Sequence, residues 1–191
     1  MKKELCILLQ LFFSINFFLY VFEKKALSSE LIISAKIGKM ELIKSLLNNG
    51  TYVNNLNCIN YTPLMIAIDY DQIELAELLL INNRFDINAI DNLGNTILIM
   101  AVGYGKTELI ELLLQMGAET NIKNNQGDTA LIIAIIYNRT ELIKMLLEKA
   151  DINAVDNLGN TALMIASACG QIESVALLLE KGADVSITNN K

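Results

Sequence analysis

The chain has 191 residues, enough for one domain of ordinary size and an appendage, and carries a formal charge of −6. Setting aside residues 1–28, with their four lysines and two glutamates, leaves an acidic body of −8, which excludes nucleic acid or an anionic membrane surface as its main partner. The absence of histidine and the scatter of Cys6, Cys58 and Cys169 exclude His-based catalysis, a zinc site and a disulfide framework.

Residues 1–28 form a segment of their own. Five of the six phenylalanines (Phe12, Phe13, Phe17, Phe18 and Phe22) lie there. Lys2, Lys3 and Glu4 precede an uncharged run from Leu5 to Phe22, a charged region followed by an apolar one, and Ala26-Leu27-Ser28 offers small residues at both ends of a cleavage tripeptide. The run of 18 residues also has the length of a membrane span, although Gln10, Ser14 and Asn16 interrupt it and Lys24 and Lys25 follow it. Basic residues at both ends give no orientation. The segment reads as an export signal, so the protein is expected to be secreted or exported. A single-pass membrane anchor is the alternative, and the membrane is expected as a partner only through this segment.

From residue 29 onward the chain repeats. Residues 29–56 hold a degenerate copy, with Leu31, Ala35, Gly38, Glu41, Leu46-Leu47 and Gly50 in register. Residues 57–90 open on Thr62-Pro63-Leu64-Met65-Ile66-Ala67. The pattern returns as Thr96-Ile97-Leu98-Ile99-Met100-Ala101 in residues 91–123, Thr129-Ala130-Leu131-Ile132-Ile133-Ala134 in 124–155, and Thr161-Ala162-Leu163-Met164-Ile165-Ala166 in 156–191. A second anchor (Asn54, Asn88, Asn121, Asn153, Ser186) and a glutamate (Glu41, Glu74, Glu108, Glu141, Glu173) step with it. Each copy predicts two short apolar helices, such as Thr96–Val102 and Thr107–Gln115 with Gly105 at the bend. Neither helix can bury its apolar face alone, so copies must stack into one continuous core. The opening threonine is placed to cap the first helix, and glycine or asparagine after the second supplies a left-handed end. Asp91–Asn95, Asn124–Asp128 and Asp156–Asn160 are turn-rich tips.

The order Thr-x-Leu-x-x-Ala, a turn, Glu and Leu-Leu, then Gly-Ala-Asp-x-Asn or a variant resembles the ankyrin repeat over about residues 29–188. The resemblance implies an all-α solenoid of stacked helix-turn-helix units, with the tips projecting as short β-hairpin loops and a concave face that docks protein partners. The pattern departs from the family in three ways. Met65, Ile99, Ile132 and Met164 stand where the family has histidine; a residue is inserted around Asn82-Asn83-Arg84, and a glycine is missing near Lys149-Ala150. The last copy lacks a polar capping face, its first helix from Ala162 to Cys169 being uncharged, which predicts self-association there.

Several motifs do not carry chemistry. Gly103-Tyr104-Gly105-Lys106-Thr107 ends like a phosphate-binding loop, but Met100 stands where that loop needs its first glycine. Asp69 and Asp71 sit in the inter-helix turn of their copy and do not read as a catalytic pair. Glycosylation acceptor patterns at Asn49, Asn60 and Asn138 are expected by chance in so asparagine-rich a chain. Cys58 and Cys169 fall about 30 Å apart at ~10 Å per helix layer, too far for a disulfide.

One pattern points to binding. Tyr70, Tyr104 and Tyr137 occupy one slot in three successive copies, which the resemblance places at the end of the inner helix on the concave face. Tyrosines supply rigid, amphipathic contact area of the kind enriched at interface hot spots. With Asp69 and the tip residues Leu93, Asn95, Gln126, Asp128, Leu158 and Asn160, they make the expected partner-binding set. The chain therefore reads as an interaction scaffold for a protein partner, without catalysis or cofactor. The alternative is a membrane-anchored assembly protein that self-associates through its last copy.

Overall fold

The structure is a computed structural model that describes residues 29–48, 61–81 and 85–190. The segment 1–28, Cys58, the acceptor residues Asn49 and Asn60 and the insertion at residues 82–84 lie outside the described residues. The described chain forms two compact units, one of residues up to Phe85 and one of residues from Asp86 onward together with Tyr61.

The first unit holds α1 (29–36), α2 (Met40–Asn48), α3 (Pro63–Asp69) and α4 (Ile73–Ile81). The second holds α5 (Ile97–Tyr104), α6 (Thr107–Gln115), α7 (Ala130–Ile136), α8 (Thr140–Leu146), α9 (Ala162–Ala168) and α10 (Ile172–Glu180). The only β structure among the described residues is two isolated antiparallel bridges, Ile90 with Thr96 and Val155 with Thr161. The fold is all-α, built from stacked helix pairs.

The inner helices α3, α5, α7 and α9 each start where a threonine hydroxyl replaces the missing fourth-back carbonyl. Thr62, Thr96, Thr129 and Thr161 are extended and buried, and each Oγ1 accepts from the backbone N–H three residues on, at 3.2, 3.2, 3.4 and 3.2 Å. Such a cap is worth about 1 kcal/mol. Thr96 thus stands just outside the helix expected to include it, and that helix runs on through Gly103 to Tyr104, where left-handed Gly105 (φ 73°) stops it. The second expected helix, Thr107–Gln115, is found with those bounds.

Burial explains the composition. Ile97 through Val102 are all buried, because α5 packs on α6 and on α7. The outer helix α6 is amphipathic, with Leu109, Ile110, Leu113 and Leu114 inward and Glu108 and Glu111 exposed. α7 packs in turn on α8 and α9, and α10 packs on α8 and α9.

The missing glycine near Lys149 has a visible consequence. Gly117 and Gly182 close α6 and α10 at φ 88° and 87°. The copy between them stops its outer helix at Leu146 after seven residues, and Ala150 N closes on Leu146 O at 2.8 Å. Without a residue suited to positive φ, the chain ends that helix with a tight right-handed turn.

Candidate functional site

Each tip is closed by backbone bonds, such as Asp91 N to Asn95 O at 3.1 Å and Asp156 N to Asn160 O at 3.0 Å, and by side chains that add to them. Asp91 Oδ1 accepts from Leu93 N and Asn95 N, both at 2.8 Å, and Asp156 Oδ1 does the same for Leu158 N and Asn160 N at 2.8 Å. In the tip between them Asn124 Oδ1 takes that part, accepting from Gln126 N at 3.0 Å and Asp128 N at 2.9 Å. The hairpin loops implied by the resemblance are tight, side-chain-capped turns, two of them flanked by an isolated antiparallel bridge.

Successive tips are also bonded to one another. Asn125 N donates to Leu93 O at 2.9 Å, Asn157 N to Gln126 O at 3.0 Å and Asn190 N to Leu158 O at 2.9 Å. The side chains repeat the link: Asn125 Nδ2 reaches Asn92 O at 2.9 Å, Asn157 Nδ2 reaches Asn125 O at 2.8 Å and Asn190 Nδ2 reaches Asn157 O at 3.4 Å. The approach is so close that a Cβ on Gly127 would lie 2.5 Å from Asn157 N. Behind the tips the second anchor does similar work. Asn88, Asn121 and Asn153 each accept through Oδ1 from a backbone N–H of the following copy, Glu119 at 3.0 Å, Asp151 at 2.8 Å and Asp184 at 2.8 Å.

This network also engages three residues of the expected binding set. Asn95, Asp128 and Asn160 are half-buried, and both ends of the two asparagine amides are hydrogen-bonded. Asn95 Nδ2 donates to Asp91 Oδ2 at 3.2 Å while its Oδ1 accepts from Asn124 Nδ2 at 3.2 Å. Asn160 makes the matching bonds with Asp156 Oδ2 and Asn189 Nδ2, both at 2.9 Å. Of the expected tip residues, Leu93, Gln126 and Leu158 face solvent, the leucines at 56% and 58% exposure.

Within the second unit, Tyr104 and Tyr137 flank an open pocket of about 300 Å³. It is completed by Tyr61, Leu93, Asn95, Ile99, Met100, Gly103 and Ile133, and none of these residues is charged. Both tyrosines are about half exposed, Tyr104 at the end of α5 and Tyr137 as the residue that closes α7. Gly103 keeps the floor low: a Cβ there would stand 4.0 Å from Tyr137 Cε2. The site can hold an apolar side chain between two phenol rings. Tyr61 was not singled out by the repeat pattern, because the same slot before the capping threonine holds Asn95, Asp128 and Asn160 in the other copies.

Tyr70 belongs to the first unit, exposed beside exposed Asp69 at the end of α3, with the Lys36 ammonium 5.3 Å from its ring centroid. The Gly103–Thr107 segment spans the end of α5, the turn at Gly105 and Lys106, and the start of α6, and is roofed by Arg139, whose Nη2 donates to Gly103 O at 3.5 Å. Asp71 (φ 58°) and Asn138 (φ 51°) hold the same left-handed slot as Gly105, which makes Asp71 a turn former. Cys169 is exposed, and no cluster of three metal-ligating side chains occurs among the described residues.

The ankyrin-repeat family model, which describes three copies, matches residues 31–124 and again residues 98–189. The chain belongs to the ankyrin-repeat family. No curated protein matches it. Ankyrin repeats are generally protein–protein interaction modules, and proteins of the family are typically non-enzymatic scaffolds. In this ankyrin-repeat protein the capped turns and asparagine joints make the tips rigid, and the uncharged pocket lies against one of them at Leu93 and Asn95.

Proposed function

We propose that this ankyrin-repeat protein is a non-catalytic adaptor that binds a protein partner through the Tyr104–Tyr137 pocket, with Leu93 and Leu158 contributing from the tips. The observation that carries this reading is a pair of half-exposed tyrosines over an uncharged pocket of about 300 Å³. Half-exposed aromatic rings leave water at little entropic cost when a partner covers them. The test is cross-linked capture by the full chain against a Tyr104→Ala, Tyr137→Ala variant whose fold is checked by circular dichroism. Loss of a hot-spot pair weakens binding by about 2 kcal/mol or more, roughly thirty-fold. Equal capture of the same partner by both proteins would sink the pocket as the binding face.

We further propose that residues 1–28 direct export, on the strength of the uncharged run from Leu5 to Phe22 behind Lys2 and Lys3. Mass spectrometry of the protein from its native source should find a mature N-terminus near Ser29. An intact N-terminus supports the second reading, a membrane-anchored assembly protein. Exposure of Ile172 (83%), Leu179 (47%) and Val185 (75%) in the last copy favours self-association in that case.

A further inference from the structure

At each joint between tips, the fifth residue of one tip meets the first residue of the next. In two joints an amide makes the link: Asn124 Nδ2 donates to Asn95 Oδ1 at 3.2 Å, and Asn189 Nδ2 donates to Asn160 Oδ1 at 2.9 Å. In the joint between them the same two slots hold Asp128 and Asp156. Ionised carboxylates only accept, so neither can donate to the other. The rest of this joint is intact, with Asn157 N on Gln126 O at 3.0 Å and Asn157 Nδ2 on Asn125 O at 2.8 Å. Two like charges are thereby held at slots where the neighbouring joints form a hydrogen bond.

The two acids are not equivalent. Asp156 already accepts from Leu158 N, Asn160 N and Asn160 Nδ2, which commits it to the ionised form. Asp128 is half-buried, with Asn124 as its side-chain partner. The charged groups of the flanking tips are Asp156 on one side and buried Asp91 on the other. The nearby Lys123 ammonium is held at Val155 O, 2.8 Å away.

We propose that the Asp128–Asp156 joint is a proton-operated latch in the row of tips. With both acids ionised the joint lacks the side-chain bond that its neighbours make between the fifth and first positions. A proton taken from solvent by Asp128 forms one O–H, which donates to the Asp156 carboxylate and removes the like-charge repulsion. Asp156 stays ionised.

The titration directions agree with that assignment. Burial first, and the Asp156 charge second, hold the Asp128 carboxyl above its ordinary 3.8 against the pull of Asn124. Burial pushes Asp156 up as well, but hydrogen bonds from Asn160, Leu158 and Gly159 together outweigh it and leave Asp156 below 3.8. The folded state therefore binds the Asp128 proton more tightly than the unfolded state does. Stability rises as pH falls through the folded Asp128 value, and that gain is complete only below the ordinary 3.8; the Asp156 contribution is lost as pH falls below 3.8 through its own lowered value.

The full chain tests this with Asp128→Asn, Asp156→Asn and the double variant. Asparagine already stands in each slot in a neighbouring tip, as Asn95 and Asn160 or as Asn124 and Asn189, although each single substitution leaves asparagine at both ends of its own tip. Carboxyl NMR of the parent should show Asp128 titrating above the ordinary aspartate value. At about pH 7 Asp128→Asn should melt higher than the parent, whereas Asp156→Asn gives up the carboxylate that accepts from Asn160 Nδ2 and should melt lower; the gain from Asp128→Asn should be smaller in the Asp156→Asn background. The gap between Asp128→Asn and the parent should shrink as pH is lowered towards the carboxylate range. The latch is overturned if Asp128 titrates at or below its ordinary value, if Asp128→Asn lowers the melting temperature at neutral pH, or if the two substitutions simply add.

Discussion

The bend between paired helices needs one residue at positive φ, and five copies fill it differently: Gly38, Asp71, Gly105, Asn138 and Gly170. Aspartate and asparagine tolerate the left-handed region better than other side chains, which is why they alternate with glycine there. The glycines are not equivalent, however. A Cβ on Gly105 would lie 2.5 Å from Arg139 Nη1, whereas a Cβ on Gly170 meets nothing within 4 Å. Gly170→Ala should therefore bear only the backbone cost, about 1 kcal/mol at the low end of the range for such strain. Gly105→Ala should cost more, towards 3 kcal/mol, because it must also displace the guanidinium roof over Gly103 O. Chemical denaturation of the two variants checks this, and equal losses would show that the Arg139 side chain yields freely.

At the scale of helices and turns, what was legible in the sequence is what depends on contacts within one copy. The capping threonines, the apolar inner helices and the bounds of α6 follow from spacing, because each is decided by residues three or four apart. Details decided by a neighbouring copy were not. Asn95, Asp128 and Asn160 look like surface polar residues in a turn, yet their half-buried positions come from the next tip stacked on them. The same stacking hid the role of Asn92, Asn125, Asn157 and Asn190, whose repeat-length spacing was present all along in a chain already rich in asparagine. Of the three tyrosines in register, the pocket of the second unit contains Tyr104 and Tyr137 and adds Tyr61, a residue with no aromatic counterpart in the other copies. Periodicity finds what copies share, and a binding site is built largely from what they do not.

At the scale of the whole array, a repeat protein holds together through joints between neighbours, so its stability is approximately a sum of copy and joint contributions. The asparagine anchors make that statement testable within the second unit. Asn88 Oδ1 accepts from Glu119 N at 3.0 Å and its Nδ2 donates to Glu119 Oε1 at 3.2 Å; Asn153 Oδ1 accepts from Asp184 N at 2.8 Å. The two anchors share no partner and are separated by a complete copy. Replacing either with alanine leaves a backbone N–H without its acceptor, at a cost of about 1 kcal/mol where water can reach the exposed donor. Each single variant should therefore lose about that amount in chemical denaturation, and the double variant should lose their sum to within about 0.5 kcal/mol. A double loss well below the sum would mean that the first substitution had already released the copy holding the second anchor, so that the copies unfold one by one. A loss well above the sum would mean that strain passes through the intervening joint at Asn121 and Asp151, making the asparagine row a single cooperative spine and not a series of independent links.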